Sequence, residues 1–325
     1  KEEKTTELAN LNKQWQSEKS LISAIQEKRA EDLNFNEYQQ ESAELLSVQG
    51  NFPMVHLDVT AQSVAEIVEN WTGIPVGNMV SDEIESLMSL EDKLRERVVG
   101  QDHAMSKIAQ AVRISRSGLT DPRKPVGVFM MVGTSGTGKT ETALALAEYL
   151  YGGEKNLITI NMSEFKEEHK ISMLLGASAG YVGYGEGGIL TEAVRKNPYS
   201  VLLLDEMEKA HAGIQDVFYN LFDKGTIKDG EGKDIDFKNT LIIMTTNAAS
   251  SGISQYFGKT DIDEDELLEK IRPELLEDFR PAFLGRASIV PYFPLTQEVL
   301  SKIISINLKK INNRLLERYG AELTF

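Results

Sequence analysis

"GTSGTGKTET" runs from Gly133 to Thr142, between the apolar stretch "VGVFMMV" (Val126 to Val132) and "ALALAEYL" (Ala143 to Leu150). Glycine weakens regular structure, so three of them within six residues, followed by Lys139 and Thr140, ask for a purpose. Gly133, four residues, Gly138, Lys139 and Thr140 fill the phosphate-loop pattern GxxxxGK[ST] at every defined position. In such a loop the backbone N–H groups of Gly133, Thr134, Ser135, Gly136, Thr137 and Gly138, with the first helical turn through Glu141, surround phosphate oxygens. Lys139 reaches the β and γ phosphates and the Thr140 hydroxyl ligates Mg²⁺. ATP and Mg²⁺ are therefore the expected ligands.

Working outward, "NLITINM", "YSVLLLDE" and "NTLIIMTTN" are short apolar runs rich in Leu, Ile and Val, the pattern of strands buried on both faces of a parallel sheet. Helical patterns alternate with them: "TETALALAEYLYG", stopping at Gly152-Gly153, "SEFKEEHKISMLLG", "ILTEAVRKN" and "AGIQDVFYNLFDKG", stopping at Gly225. The fold class is a doubly wound α/β domain with a parallel sheet flanked by helices. Two further helices are expected in "DIDEDELLEKIRPELLEDF" and "TQEVLSKIISINLKKINNRLLERYG". The acidic opening of the first is accounted for by the helix macrodipole.

Two of the strands end in chemistry. "VLLLDE" delivers Asp205 to hold magnesium, and Glu206, one residue on, to polarise water as a base. Asn247, at the end of the next strand, is suited to orient that water or sense the γ-phosphate. The pair of carboxylates favours hydrolysis over transfer to a small acceptor.

Composition bounds the partners. Hydrophobic residues make up 41% of 325, enough for a sizeable core. A net charge of −15 argues against a general nucleic-acid binder. Without cysteine there is neither a disulfide nor a thiolate metal site, and the four histidines are far apart in sequence. No apolar run approaches a membrane span of roughly 20 residues, and the opening "KEEKTTELAN" lacks the hydrophobic region of a signal peptide. A cytoplasmic location is expected.

The first part of the chain is polar and helical. Leu8, Leu11, Trp15, Ile22 and Ile25 follow a heptad seam that Glu18 interrupts, as for a helix packed on another helix or an ordinary amphipathic helix. A second helix around Tyr38 to Val48 breaks at "GNFPM". A third begins near Thr60, with Val64, Ile67, Val68 and Trp71 on one face, and stops at Thr72-Gly73 before Pro75.

Taken together, "VVGQ", "GTSGTGKT", "NMSEF", "GYVGYGEGG", "PYSVLLLDEMEKAH", "DGEGKDIDFKNT", "TTN" and "FRPAFLGR" resemble the second ATPase module of the Clp/Hsp100 unfoldases, a branch of the AAA+ ATPases. Within it, "FKEEHK", "GYGEGG", "FDKG" and "DGEGKDIDFKNT" are nearer the ClpV (TssH) group of type VI secretion than the ClpB disaggregases. The resemblance implies residues 1–50 as the end of a coiled-coil middle domain, 51–95 as linker and helices, 96–290 as the large ATPase domain, and 291–325 as the start of a helical small domain. It implies that the chain stops before the small domain's sensor arginine and lacks the first ATPase module and the N-terminal domain. This piece alone is then expected to bind nucleotide weakly and turn it over slowly.

Residue by residue, the resemblance makes Val98 and Val99 border the adenine, with a helix-start staple as the lesser alternative. Arg286 becomes the finger entering a neighbouring subunit's site, with Arg280 as a second candidate. Gly180, Tyr181, Val182 and Gly183 become the axial pore loop, its aromatic ring gripping a passing chain, and Lys228 to Phe237 a second, hairpin loop. Six identical subunits in a ring are implied, threading protein, with contracted secretion sheath as substrate for a ClpV-like member and general disaggregation as the alternative. Ser178-Ala179 and Ala249 depart from the family's usual prolines and glycine. A ring ATPase acting on nucleic acid, and a module in which nucleotide only drives assembly, are the readings from other classes.

Overall fold

The computed structural model describes residues 2–30, 39–50, 54–59, 63–64, 67, 86–118, 120–177, 187–257 and 264–323. They fall in two compact units, Lys1–Asn78 and Met79–Phe325.

In the first unit, α1 (Glu2–Ala30) and α2 (Gln39–Gln49) pack around Ile22, Ile25 and Leu45, with Val55 and Leu57 against them. Only the C-terminal half of the expected seam is covered: Leu8, Leu11 and Trp15 are exposed. Glu18 does not interrupt the packing. It is wholly buried, and its carboxylate accepts hydrogen bonds from Gln14 Nε2 at 2.9 Å and from the Met54 and Val55 backbone N–H groups at 2.8 and 3.0 Å. A carboxylate so supplied with donors survives burial that a bare one would not. The helix expected from Thr60 to Thr72 lies largely outside the described residues.

The second unit is a parallel sheet between two helical layers. Its strands are β1 (Gly127–Val132), β2 (Leu157–Asn161), β3 (Val201–Asp205), β6 (Leu241–Thr246) and β7 (Ser288–Pro291), in the order β2-β3-β6-β1-β7. All the pairings are parallel, with Met130 opposite Met244 and Leu204 opposite Met244 from its other side. Side chains alternate between faces. Phe129, Met131, Val201, Leu203 and Ile243 meet α3 (Leu90–Arg97), α4 (Asp102–Arg116) and α5 (Lys139–Tyr151). Met130, Val132, Leu202, Leu204 and Met244 meet the opposite layer, which includes α7 (Ile189–Lys196), α8 (Ala212–Lys224), α9 (Ser250–Tyr256), α10 (Glu264–Asp278) and α11 (Pro281–Leu284). The bodies of β1, β3 and β6 are apolar because they feed two cores, and polar residues enter only at their C-terminal ends. The last helix is α12 (Gln297–Tyr319), capped by the Thr296 hydroxyl.

"SEFKEEHKISMLLG" is not one helix. It forms single turns at Met162–Glu164 and Glu168–Lys170, then the short α6 (Ile171–Leu175). The Phe165 ring is buried and its carbonyl accepts the His211 N–H at 2.9 Å, which takes it out of helical bonding.

The stretch Lys228 to Phe237 makes an antiparallel hairpin, β4 (Thr226–Lys228) and β5 (Asp234–Asp236). Its tip rests backbone on backbone against the end of α6. Gly230 donates its N–H to the Leu175 carbonyl at 3.1 Å, and a Cβ on Gly230 would lie 2.6 Å from the Ala177 carbonyl oxygen. A Cβ on Gly188 would lie 2.2 Å from the Leu175 carbonyl carbon. No side chain fits at either place.

Candidate functional site

The loop after β1 takes its shape from its glycines: Gly133, Gly136 and Gly138 have φ of 153°, 79° and 106°. Each angle is one that a side chain resists. Gly133 is further confined because a Cβ there would sit 2.4 Å from the Tyr292 carbonyl oxygen. Gly138 then opens α5, whose first N–H groups face the loop's interior. Thr137 Oγ1 donates to the Thr134 carbonyl at 2.8 Å and braces the turn.

Parallel strands of an α/β sheet present their C-terminal ends together. Here the ends of β1, β3 and β6 enclose a cleft of about 340 Å³ lined by Ser135, Gly136, Gly138 to Glu141, Asp205, Glu206, Thr245 and Asn247. Lys139 is buried. Its Nζ donates to the Gly133 carbonyl at 2.5 Å, the Thr134 carbonyl at 2.9 Å and Asn247 Oδ1 at 3.2 Å. Burial pushes its amine below the ordinary lysine value, and the Glu208 and Asp205 carboxylates push partly back. Ser135 Oγ also donates to Asn247 Oδ1, at 3.3 Å.

Glu206 carries an uncommon backbone, φ 57° and ψ 49°. The left-handed region costs a side-chain-bearing residue about 1 to 2 kcal/mol. The Glu206 carboxylate accepts from Lys209 Nζ at 2.7 Å. Thr245 makes two bonds here: its hydroxyl donates to the Asp205 carboxylate, and its oxygen accepts the Glu206 N–H at 3.1 Å. Glu208 takes part too, accepting the Asn247 N–H at 3.3 Å, while its Oε2 is buried with no hydrogen-bond partner. Neither Thr245 nor Glu208 was legible as a site residue, since a threonine in an apolar strand and a third acid in "DEMEKAH" carry no spacing signal.

A second cleft, of about 230 Å³, adjoins the loop, with Val98, Val99, Gly136, Thr137 and Gly138 on one side and Leu295, Ile303, Ile306 and Asn307 on the other. It has the apolar walls a planar base needs. Beside it Arg97 bonds Glu141 at 2.6 Å and also Glu148 and Glu154, which fixes the segment before Val98 to α5. Gln101, fully buried, donates to the Thr137 carbonyl at 3.1 Å and exchanges two bonds with the Phe293 backbone. The "VVGQ" segment therefore fastens to the phosphate loop and to the approach to α12.

The remaining candidates lie apart from the first cleft. Arg286 bonds Asp223 Oδ2 at 2.8 Å and stacks over Tyr219, its guanidinium carbon 3.7 Å from the ring centre. Arg280 pairs with Asp216. Gly180, Tyr181, Val182 and Gly183 are outside the described residues.

A donor set of backbone amides, one amine, a hydroxyl and a carboxylate fits a nucleotide polyphosphate with Mg²⁺, a cation that takes one or two protein oxygens and completes its shell with phosphate and water. Similarity agrees with that chemistry. A family profile described as "AAA domain (Cdc48 subfamily)" matches residues 124–290. Chaperone protein ClpB of Yersinia enterocolitica is 47% identical over 332 residues, which is 97% of this chain and 37% of that protein.

The chain belongs to the Clp/Hsp100 branch of the AAA+ family.

AAA+ ATPase ClpV1 of Pseudomonas aeruginosa is 46% identical over 341 residues, 96% of this chain and 38% of that one. Identity thus ranks neither ClpB nor ClpV first. Among solved structures, a closed-state reconstruction of Hsp104 with ATPγS and FITC casein matches with a TM-score of 0.70 and 41% identity, over 79% of this chain and 44% of that one. The chain spans less than two-fifths of the ClpB and ClpV1 relatives. Among the described residues no helix is long and apolar enough to cross a membrane.

Proposed function

We propose that this Clp/Hsp100 member hydrolyses ATP in the cleft at the ends of β1, β3 and β6 and uses the energy to unfold protein. The observation that carries the reading is the meeting of Lys139, Asp205, Glu206 and Asn247 around one cleft behind a glycine loop. Lys139 would exchange its bonds to loop carbonyls for bonds to the β and γ phosphates. Glu206 would release Lys209 and take a proton from the attacking water, which Asn247 orients. Mg²⁺, held by Thr140 and Asp205, would neutralise charge on the phosphate oxygens. The base would occupy the second cleft, against Val98 and Val99.

The unfolding half rests on the family. In a homohexamer, Arg286 would serve a neighbouring subunit's cleft, with Arg280 beside it; such fingers contribute roughly 10³ to 10⁵ in rate in other nucleotide hydrolases. Tyr181, within Gly180 to Gly183, would grip the substrate at the axis. Residues 1–50 would be the end of a middle domain and 291–325 the start of a small domain. Contracted secretion sheath is the preferred substrate, on the loop residues "FKEEHK" and "FDKG"; the 47% identity to ClpB supports general disaggregation as the second reading.

The test uses the assembled protein that contains this chain, with ATP turnover and unfolding of a sheath-derived peptide fused to a fluorescent protein. Glu206→Gln is expected to stop turnover and keep ATP binding; turnover at the wild-type rate overturns the hydrolytic reading. Tyr181→Ala is expected to keep turnover and abolish unfolding; unfolding as fast as wild type overturns the threading reading. Activity on aggregated proteins in place of sheath moves the substrate to the ClpB class.

A further inference from the structure

Thr245 looks like one more apolar-strand residue in "LIIMTTN", yet it is 2% exposed and its hydroxyl both donates and accepts at the first cleft. Strands β3 and β6 run parallel with Leu204 opposite Met244, so the next residue on each strand, Asp205 and Thr245, come side by side at the strand ends. The hydroxyl has one proton to give and gives it to Asp205 Oδ1. Its oxygen accepts the Glu206 N–H at 3.1 Å. One side chain thereby holds the carboxylate of one residue and the backbone of the next.

We propose that Thr245 is the positioning residue of the Asp205–Glu206 pair, an assignment that rests on reading the cleft as an ATP and Mg²⁺ site. The backbone bond matters because Glu206 sits in the left-handed region at φ 57°, which neighbouring structure must impose. With its N–H anchored to Thr245, the residue is held in that turn and its side chain is directed by the turn. The carboxylate bond matters because it engages Oδ1 and so leaves Oδ2 as the oxygen for Mg²⁺ or its water. A branched side chain has few χ1 choices, and the two hydrogen bonds hold the hydroxyl in the one observed without a ligand. Valine has the same shape and offers neither bond. It would strand the Glu206 N–H and free Asp205 to rotate.

The experiment measures the affinity for ATP by titration calorimetry, with Mg²⁺ and with the metal chelated, for the wild type, Thr245→Val, Thr245→Ala and Thr245→Ser. Partners that orient a metal-binding group are typically worth 10- to 100-fold in affinity. The expected result is that Mg²⁺ strengthens ATP binding in the wild type and the serine variant. In the valine and alanine variants that gain shrinks by about tenfold or more, with the metal-free affinity unchanged. Serine losing the gain as valine does would show that the methyl group's packing is what counts, and valine weakening both conditions equally would show that the hydroxyl supports the fold of the cleft and not the metal-binding pair; either overturns the assignment. Wild-type gain retained in full by Thr245→Val overturns it as well. Should valine prevent folding, the alanine and serine variants decide by the same comparison. A wild type that binds no ATP in either condition overturns the underlying reading of the cleft, an outcome separate from any difference among the variants.

Discussion

Tyr292 donates its phenolic hydrogen to Thr142 Oγ1 at 2.9 Å, both residues wholly buried, and so joins the end of β7 to the first turn of α5. Burial pushes the phenol up, out of reach of any ordinary titration, so the bond is present at every working pH. Its backbone is equally committed: the N–H donates to the Val132 carbonyl at 2.7 Å, and the carbonyl oxygen lies where a Cβ on Gly133 would have to go. Tyr292→Phe is expected to lose about 1 kcal/mol in urea unfolding, a single buried hydrogen bond. Gly133→Ala should cost several times more, because backbone must move. Equal losses from the two would show that the contact with Tyr292 does not confine the loop.

Lys139 presents the opposite balance. Its amine is buried and kept company by loop carbonyls, an arrangement that favours ligand binding over stability. Lys139→Met should therefore leave stability within about 1 kcal/mol of the wild type, with ATP affinity reduced more than tenfold. Thermal unfolding with and without ATP gives both quantities: the variant's midpoint should match in the absence of nucleotide and fail to rise in its presence.

In the first unit the same physics makes a pH dependence. Burial of Glu18 opposes its ionisation, but the bonds from Gln14, the Val55 and Met54 N–H groups and Gln49 outweigh it and hold the carboxyl below the ordinary glutamate value. A group whose folded value is depressed contributes stability above its unfolded value, about 4.3, and loses it as pH falls through the folded value. The helical hairpin of α1 and α2 should thus loosen on acidification below about pH 4. Glu18→Gln should be less stable at neutral pH and lose less on acidification. Circular dichroism of the helices at pH 7 and pH 3 checks both signs; an identical acid response in the variant would remove Glu18 as the cause.

Ala249 adopts φ 56°, ψ 17°, at the cap of α9, and is nearly buried. Replacing it by glycine relieves about 1 to 2 kcal/mol of left-handed strain and gives up one methyl group, about 0.8 kcal/mol, plus about 0.4 to 1 kcal/mol of unfolded-chain entropy. These offset, so Ala249→Gly should be close to neutral. Ala145→Gly, buried inside α5 with no strain to relieve, should cost about 1 kcal/mol or more. Denaturant midpoints of the two variants test the contrast, and a large loss at position 249 would show that strain is not the governing term.

The middle of the sheet was legible because β1, β3 and β6 are buried on both faces and read as apolar runs; β7 (Ser288–Pro291), four residues at the sheet's edge, carried no such run and was not foreseen. The loop was legible because its chemistry lies within eight consecutive residues, Gly133 to Thr140. What sequence could not disclose depends on partners far along the chain. Thr245 meets Asp205 only through strand register, 40 residues apart. Gln101 meets Phe293 at a separation of 192. Glu18 reads as a flaw in a heptad because two of its donors, the Met54 and Val55 N–H groups, lie after α2, and "SEFKEEHKISMLLG" reads as a helix because the bond between Phe165 and His211 is silent in a helical period. The left-handed backbone at Glu206 has no signature at all, glutamate being an ordinary residue there by type.

The glycines at 176, 188 and 230 bring three pieces of main chain into direct contact beside the hairpin of β4 and β5. Peptide planes pressed together without intervening side chains have no rotamers to absorb a displacement. The chain leaving at Ala177, the chain returning at Gly187 and the hairpin tip thus share one root, like leaves on a single stem. A displacement of the hairpin tip would therefore be met by main chain at Gly176 and Gly188, where no side chain can turn aside to make room.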